Sequence, residues 1–306
     1  MPDPLNMPRI AAPSKSVPEF ILAPSGKKRW LKFADEFEAV KDTDGQPDVN
    51  RRKWQTTFWQ GSSQRTLWGN LEAQYYVDKH YTGDPKLEPG VVLNPFSYEK
   101  PGILTISATK VPQKLWKKFW MGEQRCFASG LLISDKQFDF QYGYIEGRFK
   151  LPANRGAWPA FWLLGNDPKL GSEDKAHEWG PEVDIFEFFG HRPTKHSAGV
   201  IGRGDEKPTF KFGYNEVGKD LTKEFHTWAL EWDTDQLLFL FDGKVWAKGS
   251  TPASLNRPMY LLINLAVGGK WYGEEMSAQG VPTKPWQVDE QSMPWNMECD
   301  YVRVYQ

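Results

Sequence analysis

Hydrophobic and polar residues alternate with a period of two along several stretches of the chain. In the clearest of these, His226, Trp228 and Trp232 lie on one side, and Thr227 and Glu231 lie on the other. Such alternation is typical of a β-strand with one buried face. No helical period is sustained anywhere in the sequence, and turn signals such as Asp-Gly separate the alternating stretches. The pattern therefore predicts an all-β fold.

One apolar run carries three carboxylates within six residues. Glu182, Asp184 and Glu187 stand in the sequence EVDIFE, which a Gly-Pro pair precedes and Gly190 follows. On a regular strand Glu182 and Asp184 would share one face, and Glu187 would point to the other. One extra residue, a β-bulge, would bring Glu187 back to the face of the other two acids.

Carboxylates crowded on one strand face repel each other, so they are held in different protonation states. Glycoside hydrolysis needs such a pair, one ionised and one protonated, and retention of configuration needs them close together. The alternative is that these acids are solvated side chains on the polar face of a half-exposed strand. The sequence around them decides between the two interpretations.

Four further blocks stand in a fixed order around the acidic run: WPAFWLLG at 158–165, FHTWALEW at 225–232, INLAVGG at 263–269 and DYVRVY at 300–305. With these blocks, the chain resembles glycoside hydrolase family 16 from about Phe33 to the C-terminus. The resemblance implies a β-jelly-roll sandwich of two antiparallel sheets with an open concave substrate cleft. It also implies that Glu182 is the nucleophile, Glu187 the general acid/base and Asp184 the residue that tunes the pair.

The function that follows is a retaining endo-glycoside hydrolase that cleaves a β-linked polysaccharide by double displacement. A β-1,3- or mixed-linked glucan is the leading hypothesis for the substrate. A bacterial exopolysaccharide and a marine galactan stay open as alternatives. A hypothesis from another class is a non-catalytic carbohydrate-binding sandwich, which loss of Glu182 or Glu187 would have favoured.

Candidate sugar-binding residues come from the aromatic content and from the resemblance. The chain has 15 tryptophans and 15% aromatic residues, and aromatic rings stack on the apolar faces of sugars. Trp158, Trp162 and Trp271 are predicted to flank the substrate. The resemblance adds Asn70 and His196, for which the alternatives are a turn residue and a hydrogen-bonded structural histidine.

The resemblance also implies a structural calcium ion, with Glu36, Gly102 and Asp300 at the matching positions. Oxygen ligands of this kind suit calcium. For catalysis itself no cofactor is expected. The sequence has no His-x-x-x-His or Cys-x-x-Cys spacing, which argues against a catalytic zinc site.

Composition bounds the remaining properties of the protein. The 306 residues are 40% hydrophobic and 25% charged, with a net charge of −1, so the chain is globular and gives no reason to expect a nucleic-acid or membrane partner. Residues 1–17 are predicted to be a flexible leader and residues 18–306 a single catalytic β-sandwich domain. A monomer is expected. The predicted function implies an extracellular or cell-surface location, although no secretory signal is visible.

Overall fold

The computed structural model describes residues 16–58, 65–83, 86–118, 127–165, 180–202, 210–269 and 288–306. Its strands are β1 (Phe20–Leu22), β2 (Lys28–Asp35), β3 (Val40–Lys41), β4 (Pro47–Asp48), β5 (Gln74–Tyr76), β6 (Phe96–Lys100), β7 (Ile103–Lys110), β8 (Phe127–Ser129), β9 (Leu131–Ile133), β10 (Asp139–Phe140), β11 (Gly143–Lys150), β12 (Ala157–Gly165), β13 (Glu182–Phe188), β14 (Lys195–Ile201), β15 (Phe210–Glu216), β16 (His226–Trp232), β17 (Gln236–Phe241), β18 (Lys244–Ser250), β19 (Met259–Val267) and β20 (Trp295–Tyr305).

Helical structure within the described ranges is confined to short 3₁₀ turns, such as Trp68–Asn70 and Gln113–Lys118. None of these is long and apolar enough to cross a membrane. Most of the predicted leader, residues 1–15, lies outside the described residues, so that prediction is not tested.

Two sheets contain nearly all of the described strands. The larger has eleven strands in the order β18-β17-β16-β11-β20-β7-β8-β5, with β1, β2 and β6 paired at its side. The smaller has seven strands in the order β10-β19-β12-β13-β14-β15, with β9 beside β19. Strands β3 and β4 form a separate hairpin. Among the described strands, every pair is antiparallel except β5 with β8, and the predicted all-β class is confirmed.

Strand β16 shows both the strength and the limit of the alternating pattern. Trp228 and Trp232 are fully buried in the core between the sheets, as the pattern predicts. Glu231 was expected on the polar side, yet it is only 2% exposed. Its carboxylate is covered by the turn between β1 and β2 and by β2 itself, where Ser25 donates to both oxygens and Arg29 forms an ion pair at 3.3 Å. A charged residue is thus buried because a neighbouring segment supplies its partners.

Aromatic side chains from both sheets meet in the core. Phe186 of β13 lies 4.5 Å, centroid to centroid, from Trp228 of β16. Phe149 of β11 lies 5.3 Å from Phe161 of β12. These contacts bury the inner face of the seven-stranded sheet against the larger sheet. Residues of β12 and β13 that point the other way therefore form its outer face.

Candidate active site

Strand β13 contains a β-bulge between its second and third acids. On β12, Ala160 pairs with Glu187 and Trp162 pairs with Asp184, so two residue steps on β12 face three steps on β13. The same shift occurs on the other side of β13, where β14 pairs with it out of step between Asp184 and Glu187. Ile185 is the residue that has no partner on β12. The predicted bulge is thereby confirmed.

The bulge puts all three acids on one face of the sheet. Ile185 and Phe186, although adjacent in sequence, are both buried in the core between the sheets. Directly paired residues point to the same face, so Glu187 and Asp184 lie on the outer face with Ala160 and Trp162. Glu182 joins them as the partner of Leu164. We call this surface the acidic face.

Burial differs among the three acids. Glu182 is partly exposed, whereas Asp184 is 6% exposed and Glu187 is 9% exposed. The carboxylate of Glu182 also contributes to raising the pKa of Tyr260, after burial and the charge of Asp135. One end of the acidic run is thus open to solvent, while the other two carboxylates are shielded from bulk water.

Two tryptophans of β12 that were predicted to contact the sugar, Trp158 and Trp162, lie beside the acids. The indole N–H of Trp158 donates to Oε1 of Glu187 over 3.2 Å. Trp158 is 6% exposed and packs against Phe189, with ring centroids 5.6 Å apart. The indole N–H of Trp162 donates to Oδ1 of Asn264 over 2.7 Å. Both rings are therefore held at their nitrogen ends by hydrogen bonds.

Asn70 is brought next to Trp158 by the glycine pair that follows β19. Gly269 has a φ of +103°, which favours glycine. A Cβ at this position would lie 2.8 Å from the ring of Trp158 and 3.2 Å from the carbonyl oxygen of Asn70. Only a glycine lets the chain pass between these residues. Trp271, the third predicted aromatic, lies outside the described residues.

A buried polar network that the sequence did not predict lies beside the acids, with Asn264 on the acidic face as the partner of Ala160. Its members are Glu72, Gln74, Tyr76 and Asn264, all at most 7% exposed. Glu72 accepts from Asn70 Nδ2 over 3.0 Å and from Gln74 Nε2 over 2.6 Å. The sequence feature that could have predicted this network is the spacing of residues 72, 74 and 76, which puts three polar or amphipathic side chains on one face of an extended segment.

His196 is not part of the acidic face, and its predicted sugar contact is corrected. The residue pairs with Phe188, a core residue, and its ring lies 5.0 Å from those of Phe241 and Trp246. Asn215 lies 3.0 Å from its Nε2. Burial lowers the pKa of His196 to about 4. The packing fits the alternative, a structural histidine that is neutral at physiological pH.

The predicted calcium ligands lie in one region, but each carboxylate has an arginine partner. Glu36 comes directly after β2 and Gly102 directly before β7, and both strands pair with the same edge of β20, near Asp300. Arg303 donates to both oxygens of Glu36 over 2.8 Å, and Arg148 pairs with Asp300. Within the described ranges, no group of three or more His, Cys, Asp or Glu side chains is arranged to hold a metal. This arrangement does not favour a cation at these residues, and the calcium ion implied by the resemblance is untested.

The sequence profile of glycosyl hydrolases family 16 matches residues 94–289, which include the acidic strand and its neighbours. The chain belongs to this family. Two curated relatives from Rhizobium meliloti (strain 1021) are named endo-1,3-1,4-beta-glycanase: EglC is 31% identical and ExsH 33% identical, each over 274 residues. Each alignment covers 89% of this chain and 51% of the relative, so the chain spans about half the length of these relatives.

The fold agrees with solved structures of family 16 enzymes. The structure of endo-beta-1,3-glucanase from Pyrococcus furiosus superposes with a TM-score of 0.67 at 27% identity, covering 95% of this chain and 98% of that one. The predicted family and the β-jelly-roll sandwich are thus confirmed.

Proposed function

We propose that this chain is a retaining, endo-acting glycoside hydrolase that cleaves a β-linked glucan by double displacement. The observation that carries the proposal is the bulge in β13, which turns Glu187 to the face of Glu182 and Asp184. A strand with regular register would separate the acids onto two faces, where they could not act on one bond. Membership of family 16 supports the same reaction class.

The two glutamates take different roles in the proposed reaction. In the first step the carboxylate of Glu182 attacks the anomeric carbon, while Glu187 gives its proton to the departing glycosidic oxygen. In the second step Glu187 removes a proton from water, and the water oxygen displaces Glu182 from the sugar. Glu182 suits the nucleophile because it is the partly exposed acid at the start of β13.

Glu187 suits the general acid/base because Trp158 fixes one of its oxygens. The indole N–H donates to Oε1 and so helps to hold the carboxyl group of Glu187 in one orientation. Asp184 lies between the two glutamates in the strand and on the same face. We propose that it tunes the pair electrostatically and makes no bond to carbon, since a charge between two acids alters which of them holds a proton.

A β-1,3- or mixed-linked glucan is the substrate class that we propose. The relatives that carry this inference are named endo-1,3-1,4-beta-glycanase and endo-beta-1,3-glucanase. Because polysaccharides are too large to enter a cell intact, we also propose that the protein acts outside the cell or at its surface. Residues 18–306 would form the catalytic unit, acting as a monomer.

A polysaccharide panel tests the proposal. The protein is incubated with β-1,3-glucan, mixed-linked β-glucan, β-1,4-glucan, a galactan and a bacterial exopolysaccharide, with reducing ends counted and products sized by mass spectrometry. We expect oligosaccharides of several lengths from the first two polymers and none from Glu182→Gln. Cleavage of only the galactan or only the exopolysaccharide would make that polymer the substrate class in place of a glucan. Binding to a polymer without any reducing ends would support the carbohydrate-binding alternative.

A further inference from the structure

Glu72 is a buried carboxylate that the proposed reaction does not use. It is 2% exposed and lies just before β5, where it pairs with Gly268 in an isolated antiparallel bridge. Asn70 and Gln74 donate to its two oxygens over 3.0 Å and 2.6 Å, and the hydroxyl of Tyr76 lies 3.5 Å away. Each of these three donors is neutral. A buried carboxylate with such neighbours orients them strongly, because hydrogen bonds to a charged group are stronger than those between neutral groups.

One arm of the network runs from Glu72 to Trp162. The indole nitrogen of Trp162 is a donor only, so it must face the carbonyl oxygen of Asn264, 2.7 Å away. The amide nitrogen of Asn264 then donates to the hydroxyl of Tyr76 over 3.0 Å. The hydroxyl of Tyr76 can therefore donate its own proton to the carboxylate of Glu72.

The hydrogen bonds from Trp162 to Glu72 keep one donor-to-acceptor direction because Tyr76 keeps its hydroxyl proton. Burial, with the charge of Glu72 adding to it, raises the pKa of Tyr76 well above its ordinary value. A hydroxyl that accepts from Asn264 and cannot ionise has one proton to donate, and the negative charge of Glu72 attracts it. The chain of hydrogen bonds from Trp162 to Glu72 therefore has one orientation.

The other arms connect Glu72 to Asn70 and to strand β19. The amide of Asn70 donates directly to Oε1 of Glu72. Gln74, which donates to Oε2, accepts the backbone N–H of Val267 over 2.7 Å. Val267 ends β19 immediately before the glycines that pass between Trp158 and Asn70. The arms thus end at two predicted sugar-binding residues and at the segment beside a third.

We propose that Glu72 is a positioning residue whose buried carboxylate fixes Asn70 and Trp162 for sugar binding. This inference rests on the proposed function, because both residues act only if the acidic face binds a sugar chain. Trp162 also pairs with Asp184 across the β12–β13 register, so its placement bears on the catalytic strand. A purely structural carboxylate would stabilise the fold without affecting either side chain.

The chain supplies a matched control in Glu231. This carboxylate is also 2% exposed and hydrogen-bonded, but it lies on β16 of the other sheet, with Ser25 and Arg29 as partners. Glu72→Gln and Glu231→Gln both exchange a buried carboxylate for an amide of the same size. Both are expected to lower the melting temperature. Only Glu72→Gln is expected to affect sugar binding.

Kinetics on glucan oligosaccharides gives the first readout. We expect Glu72→Gln to lower kcat/KM by about tenfold or more, mainly through KM, because misplacement of binding groups by an ångström costs up to about 10²-fold. Glu231→Gln is expected to keep kcat/KM within about twofold of wild type. Equal kcat/KM values for the two variants would overturn the inference. A wild type that cleaves no polysaccharide would instead overturn the proposed function.

Nuclear magnetic resonance on protein labelled with ¹⁵N-tryptophan gives a second readout, which needs no substrate. The indole resonance of Trp162 is identified by its loss in Trp162→Phe. We expect Glu72→Gln to move this resonance and Glu231→Gln to leave it in place. If Glu72→Gln does not fold, Tyr76→Phe cuts the same arm and is expected to move the resonance while retaining the contact of Glu72 with Asn70. An unchanged resonance in Tyr76→Phe would overturn the connection to Trp162.

Discussion

Trp158 and Glu187 are joined by a hydrogen bond from the indole nitrogen to Oε1 of the carboxylate, 3.2 Å long and buried. The two residues lie on neighbouring strands, and the bulge in β13 is what aims Glu187 at this donor. An N–H donor stabilises the ionised carboxylate more than the protonated one. The pair therefore links the geometry of the bulge to the proton transfer that we propose.

The first prediction concerns Trp158→Phe. Removal of the donor lets Glu187 keep its proton to higher pH, so the alkaline limb of the pH–rate profile is expected to move up by about one unit. The acidic limb, which reports the nucleophile, is expected to stay in place. Trp30→Phe, at an exposed tryptophan of β2, is the control. An alkaline limb that does not move in Trp158→Phe would contradict the role given to this hydrogen bond.

The second prediction separates the two glutamates. Glu182→Gln and Glu187→Gln are each expected to lower turnover of polysaccharide by about 10²–10⁴-fold or more. An aryl glycoside with a good leaving group needs no acid, so Glu187→Gln is expected to form the glycosyl-enzyme from it. Added azide then attacks the intermediate in place of activated water, and a β-glycosyl azide is expected. A β-glycosyl azide from Glu182→Gln would reverse the two roles. The absence of a β-glycosyl azide from Glu187→Gln would remove the assignment of Glu187 as the general acid/base.

The third prediction concerns calcium. Because both oxygens of Glu36 accept from Arg303 and Asp300 pairs with Arg148, we expect the melting temperature to be the same with a chelator as with added calcium. A calcium ion that bound only the folded state would raise the melting temperature. A lower melting temperature in chelator, restored by calcium, would support the calcium ion implied by the resemblance and would require the arginine pairs to open.

The fourth prediction is a loss of stability in mild acid that depends on His196. Burial lowers its pKa from 6.5 to about 4, so between these values the unfolded chain binds a proton that the folded chain does not. Stability therefore falls as pH drops from about 6.5 to 4, by roughly 3 kcal/mol in total. Carboxylates with a lowered pKa, such as Asp242, lose their contribution only at still lower pH.

His196→Phe is the variant for this test, since the histidine ring already packs against Phe241 and Trp246. Urea unfolding at several pH values is expected to show a smaller pH dependence between 6.5 and 4 than in wild type. His80→Gln, at a histidine whose side chain is 59% exposed, is expected to keep the wild-type dependence. An unchanged slope in His196→Phe would show that His196 does not titrate as its burial implies.

The sequence predicted those features that rest on local pattern. Alternation along β16 predicted a strand, and the spacing of Glu182, Asp184 and Glu187 predicted the bulge, because strand geometry alone decides which face each acid would take. Trp158 and Trp162 were predicted from the aromatic content of the chain and from the chemistry of sugar stacking, and their contact with a sugar stays a prediction.

The features that the sequence did not predict depend on contacts between distant segments. The ring of His196 points into the core because β14 pairs with β13 in a register that the spacing from Glu182 does not determine. Glu72 and Asn264 are 192 positions apart in the chain and become connected through the hydroxyl of Tyr76 only in the folded protein. The arginine partners of Glu36 and Asp300 come from β20 and β11. The local sequence pattern could not predict these ion pairs either.

The last prediction concerns the stereochemistry of the first product. The bulge makes Glu182 and Glu187 face Leu164 and Ala160 on β12, which are four residue steps apart instead of five. At about 3.3 Å per residue, this shortens the separation along the sheet from roughly 16 Å to roughly 13 Å. Two long side chains that lean together from these positions favour the carboxyl separation of about 5–5.5 Å used for retention over the 6.5–9.5 Å that holds a water for inversion.

We therefore expect the β-anomer to form first from a β-linked glucan, and transglycosylation when an acceptor sugar is added. Proton NMR of the hydrolysate, recorded faster than mutarotation, distinguishes the anomers, with spontaneous mutarotation of a pure oligosaccharide as the control. An initial α-anomer would rule out double displacement, because only a single displacement by water inverts the anomeric carbon. In that case Glu187 would still protonate the leaving oxygen, but Glu182 would act on water and not on the sugar.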